Sequence, residues 1–494
     1  MELYERLESY AASDFYPWHM PGHKRRVVEF GNPFSIDITE IDGFDDLHHP
    51  EGILKESMEE AAGVYGSEKT YFLVNGSSCG ILAAVSAVVK PGGKLLMARN
   101  CHKSAYHGAL LRQAEVTYVY PKLEKEGFYG ELRAEDVEEA LKKDPEIGAV
   151  IMVSPGYEGV VSDIEEIARV AHTYGCALIV DEAHGAHFSF AAKNLFPASA
   201  LEKGADVVIQ SLHKTLPSLT QTALLHLGRG SGAYVAREAI EFYLRIYQSS
   251  SPSYVLMASM DHCIRFMSGE QGKKLMAEYA GNLFAARNKL KKELKLLRLY
   301  EPAYAKECFY DPSKFVIVAP ENGWAGEGRM ADGSWLAEML RDRYHLEPEM
   351  NTDRYVILMS SPADSEEGFS RMADALLDLD QDLKEKERGY EKESAFLSAG
   401  FLSAGALLPC IPPANAMKSA EANAALGEWI LLSQSENRIA HDFIYIYPPG
   451  IPLLVPGERI GRMELETIRN YQKHSLEVHG IKDGAFIQVV DTGN

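Results

Sequence analysis

The sequence predicts an α/β protein: a large unit built on a mostly parallel sheet with helices on both faces, then a smaller α/β unit and a C-terminal α/β unit. Three observations carry the prediction. From about Glu51 to Leu290, short runs rich in Val, Ile and Leu alternate with helix-period segments, the pattern of buried parallel strands joined by crossover helices. A shorter alternation follows between Lys314 and Met359, and beyond Leu407 it gives way to Pro, Gly and brief apolar runs. The 494 residues suit about three units at about 150 residues each. Composition, 46% hydrophobic and 24% charged, is that of ordinary globular chains.

In chain order, residues 1–50 form an arm: a short amphipathic helix, then F-Y-P-W-H-M-P-G-H-K and D-I-T-E-I-D-G-F-D-D-L. These are rich in turn formers and need another surface to order them. The large unit, 51–290, holds strand candidates at Lys69–Val74, Lys94–Met97, Val116–Val119, Ala149–Val153, Ala177–Val180 and Asp206–Gln210. The smaller unit, 291–390, follows a Lys/Arg/Leu helix over Ala285–Leu297. Its candidates are a strand at Lys314–Ala319, a helix at Gly333–Asp342, a strand at Tyr355–Met359 and a charged helix over Ser370–Lys392. The C-terminal unit, 391–494, contains Y-P-P-G-I-P-L-L-V-P-G-E at Tyr447–Glu458. F-L-S-A-G occurs at both 396–400 and 401–405, a duplication too short to define a repeat architecture.

The net charge of −21, with no Lys/Arg-rich arm, argues against nucleic acid as a partner. The six cysteines (79, 101, 176, 263, 308 and 410) are scattered, without metal-site spacing. They read as reduced thiols of a cytoplasmic protein, and no metal is expected. The N-terminus lacks a signal-peptide pattern and no run reaches membrane-span length.

Three motifs carry chemistry. N-G-S-S-C-G, Asn75–Gly80, lies between a strand pattern and the apolar helix Ile81–Val89, so Gly76, Ser77 and Ser78 would offer backbone N–H groups and hydroxyls at a helix's positive end. This suits a phosphate, and equally a capped helix start. L-I-V-D-E-A-H-G-A-H-F puts Asp181 where a buried strand ends, either as a cap or internal ion-pair partner, or as the partner of a protonated pyridine nitrogen. V-V-I-Q runs into S-L-H-K-T, setting Lys214 beside His213 just past the sheet edge. A desolvated amine there has the lowered pKa that a Schiff-base nucleophile needs. Together the three motifs match the points by which pyridoxal 5'-phosphate is held: phosphate, ring nitrogen and aldehyde carbon.

With P-G-H-K at Pro21–Lys24, D-I-T-E-I-D-G-F-D-D-L at Asp37–Leu47, R-N-C-H-K-S at Arg99–Ser104 and Y-P-P-G-I-P, these motifs make the chain resemble the Orn/Lys/Arg decarboxylase family, in its short bacterial form. The resemblance covers nearly the whole chain. It implies the aspartate-aminotransferase-like fold (fold type I), with Lys214 holding the cofactor as a Schiff base, Asp181 keeping the pyridine nitrogen protonated, His102 stacking on the ring and Ala183 against its other face. Ser77, Ser78, Ser211 and His213 would surround the phosphate, with His184 nearby. The strip S-S-S-P-S-Y at Ser249–Tyr254, including Ser250 and Ser251, would reach a neighbouring subunit's cofactor. Bland readings stay open: His102 as a core histidine, His184 and His187 as hydrogen-bonded packing, the serine strip as a turn.

The chain departs from the family pattern in N-G-S-S for N-G-S-T, and in S-P-G-Y-E-G at Ser154–Gly159, where a Thr usually follows the Pro. The second removes a hydroxyl near the rim of the site. The implied reaction is decarboxylation of a basic amino acid, arginine favoured, to agmatine, with lysine and ornithine as alternatives. Lys214 and His213 are candidate proton donors to Cα. Asp42, Asp45, Asp46 and Glu458 are candidates for the distal cation, against the reading of a solvated acidic loop. Large family members carry a further N-terminal receiver-like domain, so a homodimer or an assembly of dimers, with sites near the subunit interface, is expected. Competing readings are an aminotransferase or other lyase of the same fold, and a non-enzymatic cofactor-binding module.

Overall fold

The computed structural model describes residues 3–26, 31–192, 194–302, 310–320, 324–326, 329–393, 413–473 and 476–491. Cys308, Cys410 and the F-L-S-A-G duplication lie outside the described residues, and the other four cysteines are buried free thiols. After helix α1 (Leu3–Ala11), strand β1 (Tyr16–Trp18) leaves the arm to pair in parallel with Leu346–Pro348. The central sheet contains β2 (Lys69–Leu73), β3 (Lys94–Ala98), β4 (Glu115–Val119), β5 (Ile147–Val153), β6 (Ala177–Asp181), β7 (Val207–Ser211) and β8 (Ala223–Leu227), in the order β2-β8-β7-β6-β5-β3-β4.

The six expected strands are present, and β3 to β7 are parallel. The seventh, β8, was not anticipated and runs antiparallel to both β7 and β2. Its run A-L-L-H-L is as buried as its neighbours. Only residues 212–222 separate it from β7, fewer than the dozen or more that a parallel crossover needs, so the chain returns antiparallel. Side chains alternate as a pleated strand requires: Leu73 and Leu225 enter the apolar cluster on one face, Phe72 and Leu224 that on the other.

The topology sets where a site can form. From β3 the chain steps outward to β4, then returns to the other side of β3 as β5 and continues to β6 and β7. The connections leaving β3 and β5 therefore diverge, opening a crevice at the strands' C-terminal ends. Register brings the key ends level, Val153 opposite Asp181 and Asp181 opposite Ile209.

The Lys/Arg/Leu helix begins earlier than the sequence pattern suggests, as Glu270–Glu293, because Met276, Tyr279 and Leu283 extend its buried face. It leads into a four-stranded antiparallel sheet whose central strands are β10 (Lys314–Val318), next to β9 (Arg298–Leu299), and Tyr355–Met359. C-terminal residues 427–490 form two three-stranded sheets around their own apolar cluster. No helix among the described residues is long and apolar enough to cross a membrane.

Candidate active site

P-G-H-K packs directly under the lysine turn. Gly22 N–H donates to His213 O (2.6 Å), and a Cβ on Gly22 would lie 2.8 Å from Leu216 N and O, so only glycine lets the two backbones approach this closely. Lys24 is buried, with Nζ donating to Pro17 O, His19 O and Met359 O at 2.8–2.9 Å. It clasps the arm to the small sheet.

Above this clasp, Leu212–Thr215 form one helical turn after β7. Leu212 and Thr215 are buried, while His213 and Lys214 border a cavity of about 320 Å³. Lys214 Nζ donates to His184 Nε2 at 3.0 Å. Desolvation lowers the lysine pKa, with Asp181 opposing. Asp181 closes β6, is buried, and accepts from Ala183 N–H at 3.1 Å. Burial raises its carboxyl, with Lys214 pulling back. Burial and then Lys214 hold His184 neutral, well below the usual histidine pKa, and Tyr157 meets its ring edge-on at 4.8 Å.

His102 caps helix Lys103–Leu111, its Nδ1 accepting from Ser104 Oγ (2.8 Å) and, more weakly, Ser104 N–H (3.3 Å). Burial, then the Lys214 charge, depresses it to about 3. His213 donates from Nδ1 to Thr222 O at 2.8 Å and is lowered to about 4, chiefly by burial. Gly76, at φ +74°, turns the chain into helix Gly76–Val88, whose start receives no side-chain cap from Asn75. Its first N–H groups thus remain to be satisfied. Ser77 lines the cavity, whereas Ser78 is exposed. The Ser211 and Thr215 hydroxyls are buried without partners.

The cavity thus brings together Ser77, His102, Asp181, Ala183, His184, His213 and Lys214. Ser250 and Ser251 do not line it: they sit on an exposed loop, where Ser249 O accepts from His48 Nε2 at 2.8 Å. The candidate distal-cation carboxylates Asp45, Asp46 and Glu458 have other partners within this chain. Asp45 accepts backbone N–H groups from Asp46, Glu51, Gly52 and Leu54 at 2.8–3.1 Å, anchoring the start of helix Ile53–Tyr65, where unpaired N–H groups attract a carboxylate. Asp46 accepts from His48 N–H (2.7 Å), and Asp42 is exposed. Glu458 is buried against Arg99 at 3.2 Å and accepts Val455 N–H at 2.9 Å. None of the four lines the cavity.

Sequence reasoning missed the opposite wall: Tyr157 and Glu158 after β5, Glu349, Thr352 and Tyr355 of the small sheet, and Tyr447 with its Pro neighbours. Tyr355 OH donates to Glu158 Oε1 at 2.9 Å. Glu349 accepts from Met20 N–H (2.8 Å) and from Tyr157 OH. Glu158 had a usable signal, an acid just past a buried strand within S-P-G-Y-E-G. Glu349 had none.

Sheet topology and the lysine–aspartate pair at its edge place the molecule among the fold-type-I pyridoxal-phosphate enzymes. A solved structure of the E. coli constitutive lysine decarboxylase shares the fold, with TM-score 0.73 and 19% identity over 99% of this chain and 81% of that one. The Orn/Lys/Arg decarboxylase major domain matches residues 2–368, and the family's C-terminal domain matches residues 404–480. Proteins named arginine decarboxylase in Bacillus subtilis and Bacillus anthracis are each 30% identical, over 97% of this chain and 95% of theirs. The chain belongs to the Orn/Lys/Arg decarboxylase family and is an amino-acid decarboxylase.

The residues fit the cofactor that this family implies. A desolvated amine facing a cavity, a buried carboxylate beside it, an uncapped helix start and two buried hydroxyls without partners match the aldehyde, ring nitrogen and phosphate of pyridoxal phosphate.

Proposed function

We propose that this chain decarboxylates a basic amino acid, arginine first, to agmatine and carbon dioxide, using pyridoxal phosphate on Lys214. The observation that carries the reading is the cavity itself. Lys214 is its only lysine or arginine among the described residues, facing a wall that holds Glu158 and Glu349. The 30% identity to proteins named arginine decarboxylase supports arginine over lysine and ornithine.

When bound, the cofactor supplies an electron sink for the pair left on Cα as carbon dioxide departs. Desolvation keeps Lys214 Nζ ready to lose its proton and react with an aldehyde, and neutral His184 Nε2 orients the amine by accepting its hydrogen bond. Asp181 offers its carboxylate to a protonated ring nitrogen. Ser77, Ser211 and His213 would serve the phosphate, with the exposed Ser78 at the same helix start. His102, fixed by Ser104, would lie against the ring, opposite Ala183. Lys214 Nζ is the proton donor to Cα that this wall provides, since neutral His213 keeps its single ring proton on Nδ1, bonded to Thr222 O.

All four proposed units contribute: 1–50 through Met20 and Pro21, 51–290 through Lys214, 291–390 through Glu349 and Tyr355, and 391–494 through Tyr447 and Leu453. The C-terminal strip lines the cavity through Tyr447, Pro448, Pro449, Ile451 and Leu453. Lys103 N–H donates to Gly450 O (3.0 Å), and Gly450 leaves His102 room, since a Cβ there would approach Nε2 to 3.1 Å. We also propose a homodimer. The arm leaves Phe34 88%, Ile41 50% and Phe44 45% exposed, more apolar surface than a lone arm keeps in water, and its His48 meets the serine strip at Ser249 O.

The test is turnover of the purified, cofactor-loaded protein with arginine, lysine and ornithine separately, following carbon dioxide and amine, with Lys214→Ala as control. Release from arginine, lost in the control, is expected. Keto-acid formation without carbon dioxide would overturn the reading.

A further inference from the structure

We infer that Glu158 receives the distal positive charge of the substrate and so sets the preference for basic side chains; the inference rests on the decarboxylase reading above. Glu158 leaves the end of β5, the strand beside that of Asp181, through a turn that fixes its direction. Gly156 N–H donates to Val160 O (2.8 Å) and Gly159 N–H to Gly156 O (3.0 Å). Gly159 sits at φ +96°, where a Cβ would come within 2.9 Å of Asp311 O and 3.1 Å of Lys314 Cγ. Only glycine fits, and the turn holds Glu158 on the cavity wall.

Glu158 is buried yet borders the cavity. Its partner is a neutral phenol, Tyr355, and among the described residues no Lys, Arg or His lies within ion-pair distance. A buried carboxylate without a cation is unfavourable unless something else supplies the charge. Here the open side is the substrate cavity. Glu349, the other acid on this wall, has both oxygens engaged, Oε2 by Met20 N–H and Oε1 by Tyr157 OH; it frames Tyr157 against His184. The faces around Glu158 are aromatic. Phe128 and Tyr355 pack edge-to-face at 5.5 Å, with Tyr129 and Tyr471 on the same lining. Such faces suit a methylene stem ending in a guanidinium or ammonium.

The variant Glu158→Gln preserves shape and the Tyr355 hydrogen bond while removing charge. Its KM for arginine should rise by roughly 10–100-fold, the effect of losing one charge-assisted hydrogen bond, with kcat changed only a few-fold. The Kd for agmatine, measured calorimetrically, should rise by the same factor. Binding of citrulline, whose distal group is neutral, should not weaken. Unchanged KM and Kd, or equal losses for agmatine and citrulline, would overturn the assignment. A crystal structure of the native protein with agmatine decides it independently of any variant: the guanidinium must lie about 2.7–2.9 Å from the Glu158 carboxylate, and a guanidinium held elsewhere rejects it. If the native protein releases no carbon dioxide from any basic amino acid, the decarboxylase reading fails. If it does and Glu158→Gln keeps its KM, this inference alone fails.

Discussion

The two walls of the cavity are built in opposite ways. The proposed cofactor wall comes from one sheet: Asp181 ends β6 and Lys214 follows β7, its parallel partner, while His102 follows β3. The facing wall is composed of Glu158 from the large unit, Glu349 and Tyr355 from the small sheet, and Tyr447 from the C-terminal residues. The first wall is rigid because its backbone belongs to the core. The second is assembled from residues far apart in sequence. On the proposed reading, the chemistry would be carried by strand ends and selectivity by the facing wall, which can vary without disturbing the sheet.

Lys214→Ala tests the first wall with the largest expected effect. Turnover should fall by about 10⁴-fold or more, as for loss of a covalently reacting group, while the unfolding midpoint stays near that of the native protein. A residual rate within tenfold of native would show that the sheet edge is not where the chemistry lies.

The next variant separates the walls. Arg99 joins the end of β3 to the C-terminal unit, with Nη2 donating to Leu453 O (3.0 Å) and to Glu458 (3.2 Å). Arg99→Met leaves Glu458 buried and unpaired, a cost of about 3–5 kcal/mol that denaturant unfolding would measure. Because the loosened element carries the Tyr447–Leu453 strip, KM should rise while cofactor affinity holds; equal loss of both would mean that the walls are one structural unit. Asp181→Asn, confined to the first wall, should lower kcat by about 10²-fold, in line with losing one electrostatic contact to developing charge. KM should move little.

The same division explains what was legible in the sequence. L-I-V-D and V-V-I-Q-S-L-H-K announce a buried strand, its end and a charged group within a few consecutive residues, so Asp181 and Lys214 can be found by reading along the chain. Strand β8 was hidden because its apolar run A-L-L-H-L carries no turn signal that distinguishes it from a short buried helix; only its distance from β7 gives its direction. Asp45 and Glu458 stood in motif-like segments, but motif membership does not say which donors surround a carboxylate. Their backbone and Arg99 partners are matters of three-dimensional arrangement. Glu349 is the extreme case: Tyr157, Met20 and Glu349 are brought together by three units, and no local pattern around any of them points to the others.

The smallest expected effect distinguishes the walls by titration. Burial holds His102 at about 3 and His213 at about 4, so both are neutral from pH 5 to 9 and add no inflection there. Burial raises Glu158 to about 7, the Tyr355 hydrogen bond pulling modestly the other way. Tyr355 bonds it, and Tyr157, Tyr129, Tyr471 and Glu349 line the same cavity. Tyr157 and Tyr355 stay protonated in this range, held well above the usual tyrosine value by burial. Protonated Glu158 cannot pair with a cation, so kcat/KM for arginine should fall as pH drops through about 7, by about tenfold between pH 8 and 6, as one ionisation requires. In Glu158→Gln that inflection should vanish, while the profile for loading cofactor onto Lys214 keeps its shape. If both profiles lose the same inflection, the titrating group belongs to the cofactor wall, and the separation between catalysis and selectivity does not hold.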